Sequence, residues 1–169
     1  GHRDGIYLEF SRRARIVGNE SRGNMRYGLH FMYSDSCEYR QNTFAHNASG
    51  VAVMYSRAVT VVGNRFEDNR GTAAYGLLLK EIKEGRIADN VIAGNTVGLY
   101  AEGVDRMVVE HNQFLGNGWA VRLMADATGN IFVVEANGNR IQKFTNTGAF
   151  MTKWGSSGSG TSQFSNPQG

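Results

Sequence analysis

The stretch Gly28-Leu29-His30-Phe31-Met32-Tyr33-Ser34-Asp35-Ser36-Cys37-Glu38-Tyr39-Arg40-Gln41-Asn42-Thr43-Phe44-Ala45-His46-Asn47 is one unit of a repeat that fills most of the chain. Aligned on Gly28, the residues Gly5, Gly50, Gly76 and Gly98 open equivalent units. Two asparagine columns then come into register. Asn19, Asn42, Asn64, Asn90 and Asn112 lie 14 residues after the glycine, and Asn24, Asn47, Asn69, Asn95 and Asn117 lie 19 after it. Successive glycines are 23, 22, 26 and 22 residues apart, so all length variation falls between the second asparagine and the next glycine. A fixed period of about this size is the mark of a solenoid.

Inside each unit the apolar residues alternate with period two, as in strands rather than helices. The first strand points Ile6/Leu8, Leu29/Phe31, Val51/Val53, Leu77/Leu79 and Leu99/Ala101 inward. The second points Ala14/Ile16, Cys37/Tyr39, Val59/Val61, Gly85/Ile87 and Met107/Val109 inward. Phe44, Phe66, Ile92 and Phe114 form a third side between the asparagines, with Ser21 in that place in the first unit. Units stacked at the roughly 4.8 Å strand spacing turn each inward position into a continuous core row. The expected fold is therefore all-β: a right-handed parallel β-helix of about five to six coils over residues 1–124.

Asparagine tolerates left-handed backbone at corners, and stacked amides can hydrogen-bond from coil to coil, so both columns are expected to be structural ladders. Cys37 occupies a core column and reads as a small buried hydrophobe. As the single cysteine, it excludes an internal disulfide and zinc sites built on paired cysteines. A net charge of +3 is mildly basic, and the cluster Arg12, Arg13, Arg15 comes without a nucleic-acid-binding motif, so it is expected to be a solvated face. No apolar run is long enough for a membrane-spanning helix. Gly1-His2-Arg3-Asp4 has no initiator methionine or signal-peptide character, so the chain reads as excised from something longer.

From residue 125 the pattern changes. Asp126-Ala127-Thr128-Gly129-Asn130, Asn137-Gly138-Asn139 and Asn146-Thr147-Gly148 are turns leading into Ile131–Glu135, Arg140–Phe144 and Ala149–Gly155, which predicts three short antiparallel strands. Together with Phe164-Ser165-Asn166-Pro167-Gln168-Gly169, residues 126–169 resemble a single NHL repeat, one blade of a β-propeller. One blade cannot close a propeller, so a small sheet capping the β-helix is expected, with blade-mediated self-association between chains as the alternative. Val121-Arg122-Leu123-Met124 is expected to serve as both a sixth rung and the inner strand of the blade. The change of pattern is also what a chimeric junction produces.

The outward positions of the first strand read Tyr7/Glu9, His30/Met32, Ala52/Met54, Leu78/Lys80 and Tyr100/Glu102. His30 and Met32 share a face, Met54 stands one coil above Met32, and Met25 lies in the adjoining corner. Imidazole with thioethers is a soft donor set that favours Cu(I). The alternative is that the two methionines pack beneath a loop such as the corner Arg70 to Tyr75.

Gly23-Asn24-Met25-Arg26-Tyr27-Gly28-Leu29-His30-Phe31-Met32-Tyr33-Ser34, echoed by Gly50-Val51-Ala52-Val53-Met54-Tyr55-Ser56, resembles the periplasmic NosD family. The resemblance implies a periplasmic protein handling copper for maturation of nitrous oxide reductase. It also implies partnership with an ABC transporter and the apo-metalloenzyme. A rival class is a polysaccharide lyase, hydrolase or epimerase, which would need clustered acids. The best acids lie in the column Arg12, Asp35, Arg57, Lys83, Asp105, a charge ladder expected to keep its carboxylates ionised and paired. His46 sits in a corner and His111 stands alone beside Asn112. No enzymatic activity is expected, and the alternative to copper handling is a non-catalytic repeat scaffold or a carbohydrate-binding β-helix.

Overall fold

The computed structural model describes residues 1–124, 131–135, 140–144 and 149–157. Three strands per coil stack into three sheets. The first sheet holds β1 (Ile6–Glu9), β4 (Tyr27–Met32), β7 (Ser49–Met54), β10 (Tyr75–Lys80), β13 (Val97–Glu102) and β16 (Trp119–Met124), in that order. The second holds β2 (Arg15–Val17), β5 (Glu38–Arg40), β8 (Arg57–Val62), β11 (Lys83–Ala88) and β14 (Asp105–Glu110). The third holds β3 (Glu20–Arg22), β6 (Thr43–Ala45), β9 (Arg65–Glu67), β12 (Val91–Ala93) and β15 (Gln113–Leu115). Every pairing within these rows is parallel and keeps the register of the repeat: Leu29 lies opposite Val51, Val51 opposite Leu77, and Leu77 opposite Leu99. The fold is a parallel β-solenoid. No helix of the described residues is long and apolar enough to cross a membrane.

The inward rows form one core. Leu29, Phe31, Val53, Phe44, Phe66, Leu77, Ile87 and Ile92 are fully buried, as are Cys37 and Tyr39. Phe44 and Phe66 stack at 5.7 Å between ring centroids. The third side of the triangle is therefore an aromatic and aliphatic spine.

Both asparagine ladders form in full. In the first, each Nδ2 donates to Oδ1 of the next coil: Asn19 to Asn42 (3.0 Å), Asn42 to Asn64 (2.9 Å), Asn64 to Asn90 (3.1 Å) and Asn90 to Asn112 (2.8 Å). The same Oδ1 atoms also accept the backbone N–H of the preceding coil's asparagine, as from Asn42 to Asn64 at 3.0 Å. The second ladder repeats the scheme from Asn24 through Asn47, Asn69 and Asn95 to Asn117. In the first unit Ser21 replaces the aromatic residue, and its hydroxyl donates to the Gly28 carbonyl at 2.8 Å.

The glycine that opens each unit is needed for space rather than for φ. A Cβ at Gly50 would stand 2.4 Å from the Gly76 carbonyl oxygen and 2.9 Å from Asn69 Nδ2. Left-handed backbone occurs elsewhere, at the corners. One such column reads Phe10, Tyr33, Tyr55, Glu81 and Gly103, with φ between 49° and 61°. Phe10 stacks on Tyr33 (5.3 Å, 13°) and Tyr33 on Tyr55 (5.1 Å, 12°), and all three rings remain exposed. Left-handed placement of three bulky L-residues costs about 1–2 kcal/mol each, whereas each stack returns about 0.5–1.5 kcal/mol. Gly103 closes the same corner with no ring.

At the C-terminal side, β17 (Ile131–Glu135) pairs in parallel with β14, placing Phe132 opposite Val108 and Val133 opposite Val109. β18 (Arg140–Phe144) and β19 (Phe150–Trp154) follow in antiparallel order. The expected antiparallel strands therefore extend the second sheet. Val121–Met124 does not have the predicted double role: β16 is a sixth rung of the first sheet, beside β13, and the three later strands join a different sheet. The segments 125–130, 136–139, 145–148 and 158–169, which carry the turns and the Phe164–Gly169 part of the NHL likeness, lie outside the described residues.

Candidate metal centre

The outer face of the first sheet bears the candidate ligands in two adjacent columns. One reads Tyr7, His30, Ala52, Leu78, Tyr100; the other reads Glu9, Met32, Met54, Lys80, Glu102. Met32 and Met54 are direct cross-strand partners, and His30 is two residues before Met32 on the same strand, so strand alternation sends the three side chains to one face. Both thioethers are half-buried.

Outward does not mean wet here. His30 is only 5% exposed, and Ala52 and Leu78 are buried as well. The cover over His30 is aromatic: the Tyr27 ring lies 4.8 Å away and the Tyr7 ring meets it edge-on at 5.2 Å. The Arg26 guanidinium caps Tyr27 at 4.7 Å from its centroid. The corner Arg70 to Tyr75 reaches instead toward Thr96, Gly94 and Ser49.

Neither ring nitrogen of His30 has a hydrogen-bond partner, although both are buried. Buried polar atoms are nearly always satisfied, so an imidazole with two free nitrogens indicates a ligand or a closer contact still to be made. Asp4 Oδ2 stands 4.0 Å from His30 Nδ1, and Asp4 Oδ1 accepts from the Tyr27 N–H at 3.2 Å. Burial, with the Arg26 guanidinium second, holds the His30 pKa below the usual histidine value despite the opposing Asp4 and Glu9 carboxylates. The imidazole is thus kept in the neutral form that metals bind.

Met25 is 70% exposed and sits on the rim, where its N–H donates to the His2 carbonyl at 2.9 Å. Two groups that sequence reasoning did not single out flank the face. Glu9 is the register partner of Met32 and accepts from the Tyr7 hydroxyl at 2.9 Å, and Asp4 faces His30. The column alignment carries the signal for Glu9, but Asp4 lies ahead of the first glycine. Among the described residues no group of three or more His, Cys, Asp and Glu gathers to hold a metal, so a centre here depends on thioether sulfur.

The acids of the rival reading are engaged differently from the predicted ladder. Backbone bridges align Arg12, Asp35 and Arg57, but Arg57 Nε reaches Glu84 at 3.0 Å and Asp105 pairs with Arg106 rather than Lys83. Asp35 accepts from the Ser36 hydroxyl and forms no ion pair among the described residues. His46 occupies a left-handed corner as expected, whereas His111 does not stand alone, since its Nδ1 lies 3.5 Å from Asp89. Cys37 donates to the Asp35 carbonyl at 3.2 Å, and burial raises its pKa, leaving an unreactive thiol.

No curated protein matches the chain. Residues 1–167 do match the family described as periplasmic copper-binding protein (NosD), a match that runs past residue 124 and does not carry the NHL likeness of residues 126–169. On that coverage, this β-solenoid belongs to the NosD family of periplasmic copper-binding proteins.

Proposed function

We propose that the chain is a non-catalytic, periplasmic copper-handling protein that holds Cu(I) on the outer face of its first sheet, serving the maturation of nitrous oxide reductase. The observation that carries this reading is the buried His30 with two unpartnered nitrogens, on the same face as the paired thioethers of Met32 and Met54. Imidazole and two thioethers suit Cu(I) by softness. Met25, on the rim, would complete the set or receive the ion first. The ABC transporter and the apo-metalloenzyme are the corresponding partners.

Asp4 has a positioning role in this proposal. A carboxylate facing one ring nitrogen of a metal-bound histidine fixes the tautomer and leaves the other nitrogen to the metal. Asp4 Oδ2 stands 4.0 Å from Nδ1, and closing that gap to a hydrogen bond would leave Nε2 as the donor atom. The Tyr7 and Tyr27 rings exclude water from the imidazole, and bound copper would be retained by soft ligands rather than activated for a reaction.

Anaerobic Cu(I) titration of the parent, His30→Gln and Met32→Ala/Met54→Ala tests the site. Binding in the parent that both variants weaken supports it; equal affinity in all three, or none in the parent, refutes it and leaves a repeat scaffold. Asp4→Asn is expected to weaken binding about 10- to 100-fold.

A further inference from the structure

Beside the metal face, on the corner between the first and second sheets, runs an open groove of about 560 Å³. Its length crosses four coils, about 14 Å at the usual strand spacing. One wall is the column Phe10, Tyr33, Tyr55, Glu81 and the other is Arg12, Asp35, Arg57, Lys83. We propose that this groove binds an oligosaccharide lying along the solenoid axis.

The corner itself does not need the rings. Gly103 makes the same left-handed turn at φ 61°, whereas the three aromatics make it at φ near 50° with their side chains exposed. The volume is that of a ligand site, and aromatic surface with a few converging polar groups is the usual lining of one.

The opposite wall selects the ligand class. Arg12 and Lys83 form no ion pair among the described residues, and the Asp35 carboxylate accepts only from the Ser36 hydroxyl there, so two cations and a carboxylate stand uncommitted along one wall. Three cations and the single carboxylate Asp35 on this wall, with Glu81 on the facing one, give both donors and acceptors, which suits a ligand that both donates and accepts, as sugar hydroxyls do. Each of the first three coils presents one ring and one charged residue, which suits a ligand with its own repeating unit. The stacked rings cover one another's inner faces, so the groove offers their edges, the two tyrosine hydroxyls and the outer face of Phe10, which is 74% exposed.

Titration calorimetry of the full chain with the neutral saccharides cellohexaose, chitohexaose and xylohexaose, beside an extended acidic peptide, tests the proposal. At least one saccharide is expected to bind. Tyr55→Gly and Asp35→Asn should each weaken it tenfold or more, equivalent to about 1.4 kcal/mol, and leave thermal unfolding and Cu(I) affinity in place. Tyr55→Gly puts in coil three the residue that coil five already has, so it is a variant that folds. Three outcomes would overturn the proposal: no binding of any saccharide, binding that both variants leave unchanged, or binding of the peptide alone.

Discussion

Replacing Asn64 by alanine removes the centre of the first ladder, and its cost can be worked out bond by bond. Asn64 is fully buried. Its Nδ2 donates to Asn90 Oδ1 and to the carbonyls of Tyr39 (2.9 Å) and Val62 (3.2 Å), while its Oδ1 accepts the Asn42 N–H (3.0 Å) and Asn42 Nδ2 (2.9 Å). Alanine leaves the Asn42 N–H without a partner in a site closed to water. Asn42 Nδ2 retains the Ile16 carbonyl and Asn90 Oδ1 retains the Asn64 N–H. One orphaned buried donor costs about 1–3 kcal/mol and an under-satisfied Tyr39 carbonyl about 1 kcal/mol more, so a loss of roughly 2–4 kcal/mol is expected. Asn19 is the internal control, because it is exposed and its side chain only donates, to Asn42 Oδ1 and the Val17 carbonyl. Asn19→Ala should cost under about 1 kcal/mol. Guanidinium unfolding of both variants gives the difference, and amide exchange should accelerate first at Asn42. Equal costs at Asn19 and Asn64 would refute the claim that the ladder acts by satisfying buried donors.

Other outcomes follow from the same geometry. Gly50→Ala should unfold the solenoid locally or lower its melting temperature sharply, since the new Cβ would meet the Gly76 carbonyl at 2.4 Å; circular dichroism reads this directly. Leu77→Ala, at a fully buried inward position flanked by Val51 and Leu99, is expected to cost about 2–5 kcal/mol in denaturant unfolding. For pH, the His30 pKa is lowered in the fold, so the unfolded chain binds the extra proton first; the contribution of His30 makes metal-free stability fall as pH drops below the ordinary histidine value. His30→Gln should flatten that part of the stability profile, and an unchanged slope would contradict the assignment.

The solenoid was legible because its signals are redundant. The glycine, both asparagine columns and the period-two alternation all specify one register, and the core rows from Leu29 to Leu99 follow from it. The candidate centre was legible only in part. Alternation places His30, Met32 and Met54 on the outer face, but it carries no information on what covers that face. The Tyr27 and Tyr7 rings over His30 come from the first residue of its own strand and from the neighbouring coil. The ring column Phe10, Tyr33, Tyr55 went unread for a related reason: aromatic residues are poor candidates for left-handed backbone, so no propensity rule points to them, although the aligned column is visible once the corner is located. Ion pairing was misassigned at Arg57 and Asp105 because long side chains reach past their register partners to Glu84 and Arg106.

The asparagine ladders also govern how such a molecule can change its length. Every coil offers amide N–H groups to the next and carbonyl oxygens to the one before, always in the same direction along the axis. Removing Gly50 through Tyr75, one full unit, would bring Gly76 into the place of Gly50 and leave both ladders unbroken. Removing a few residues between a glycine and its second asparagine would interrupt them at once. Size is therefore quantised in whole coils, with the corner before each glycine as the one place where single residues can be gained or lost.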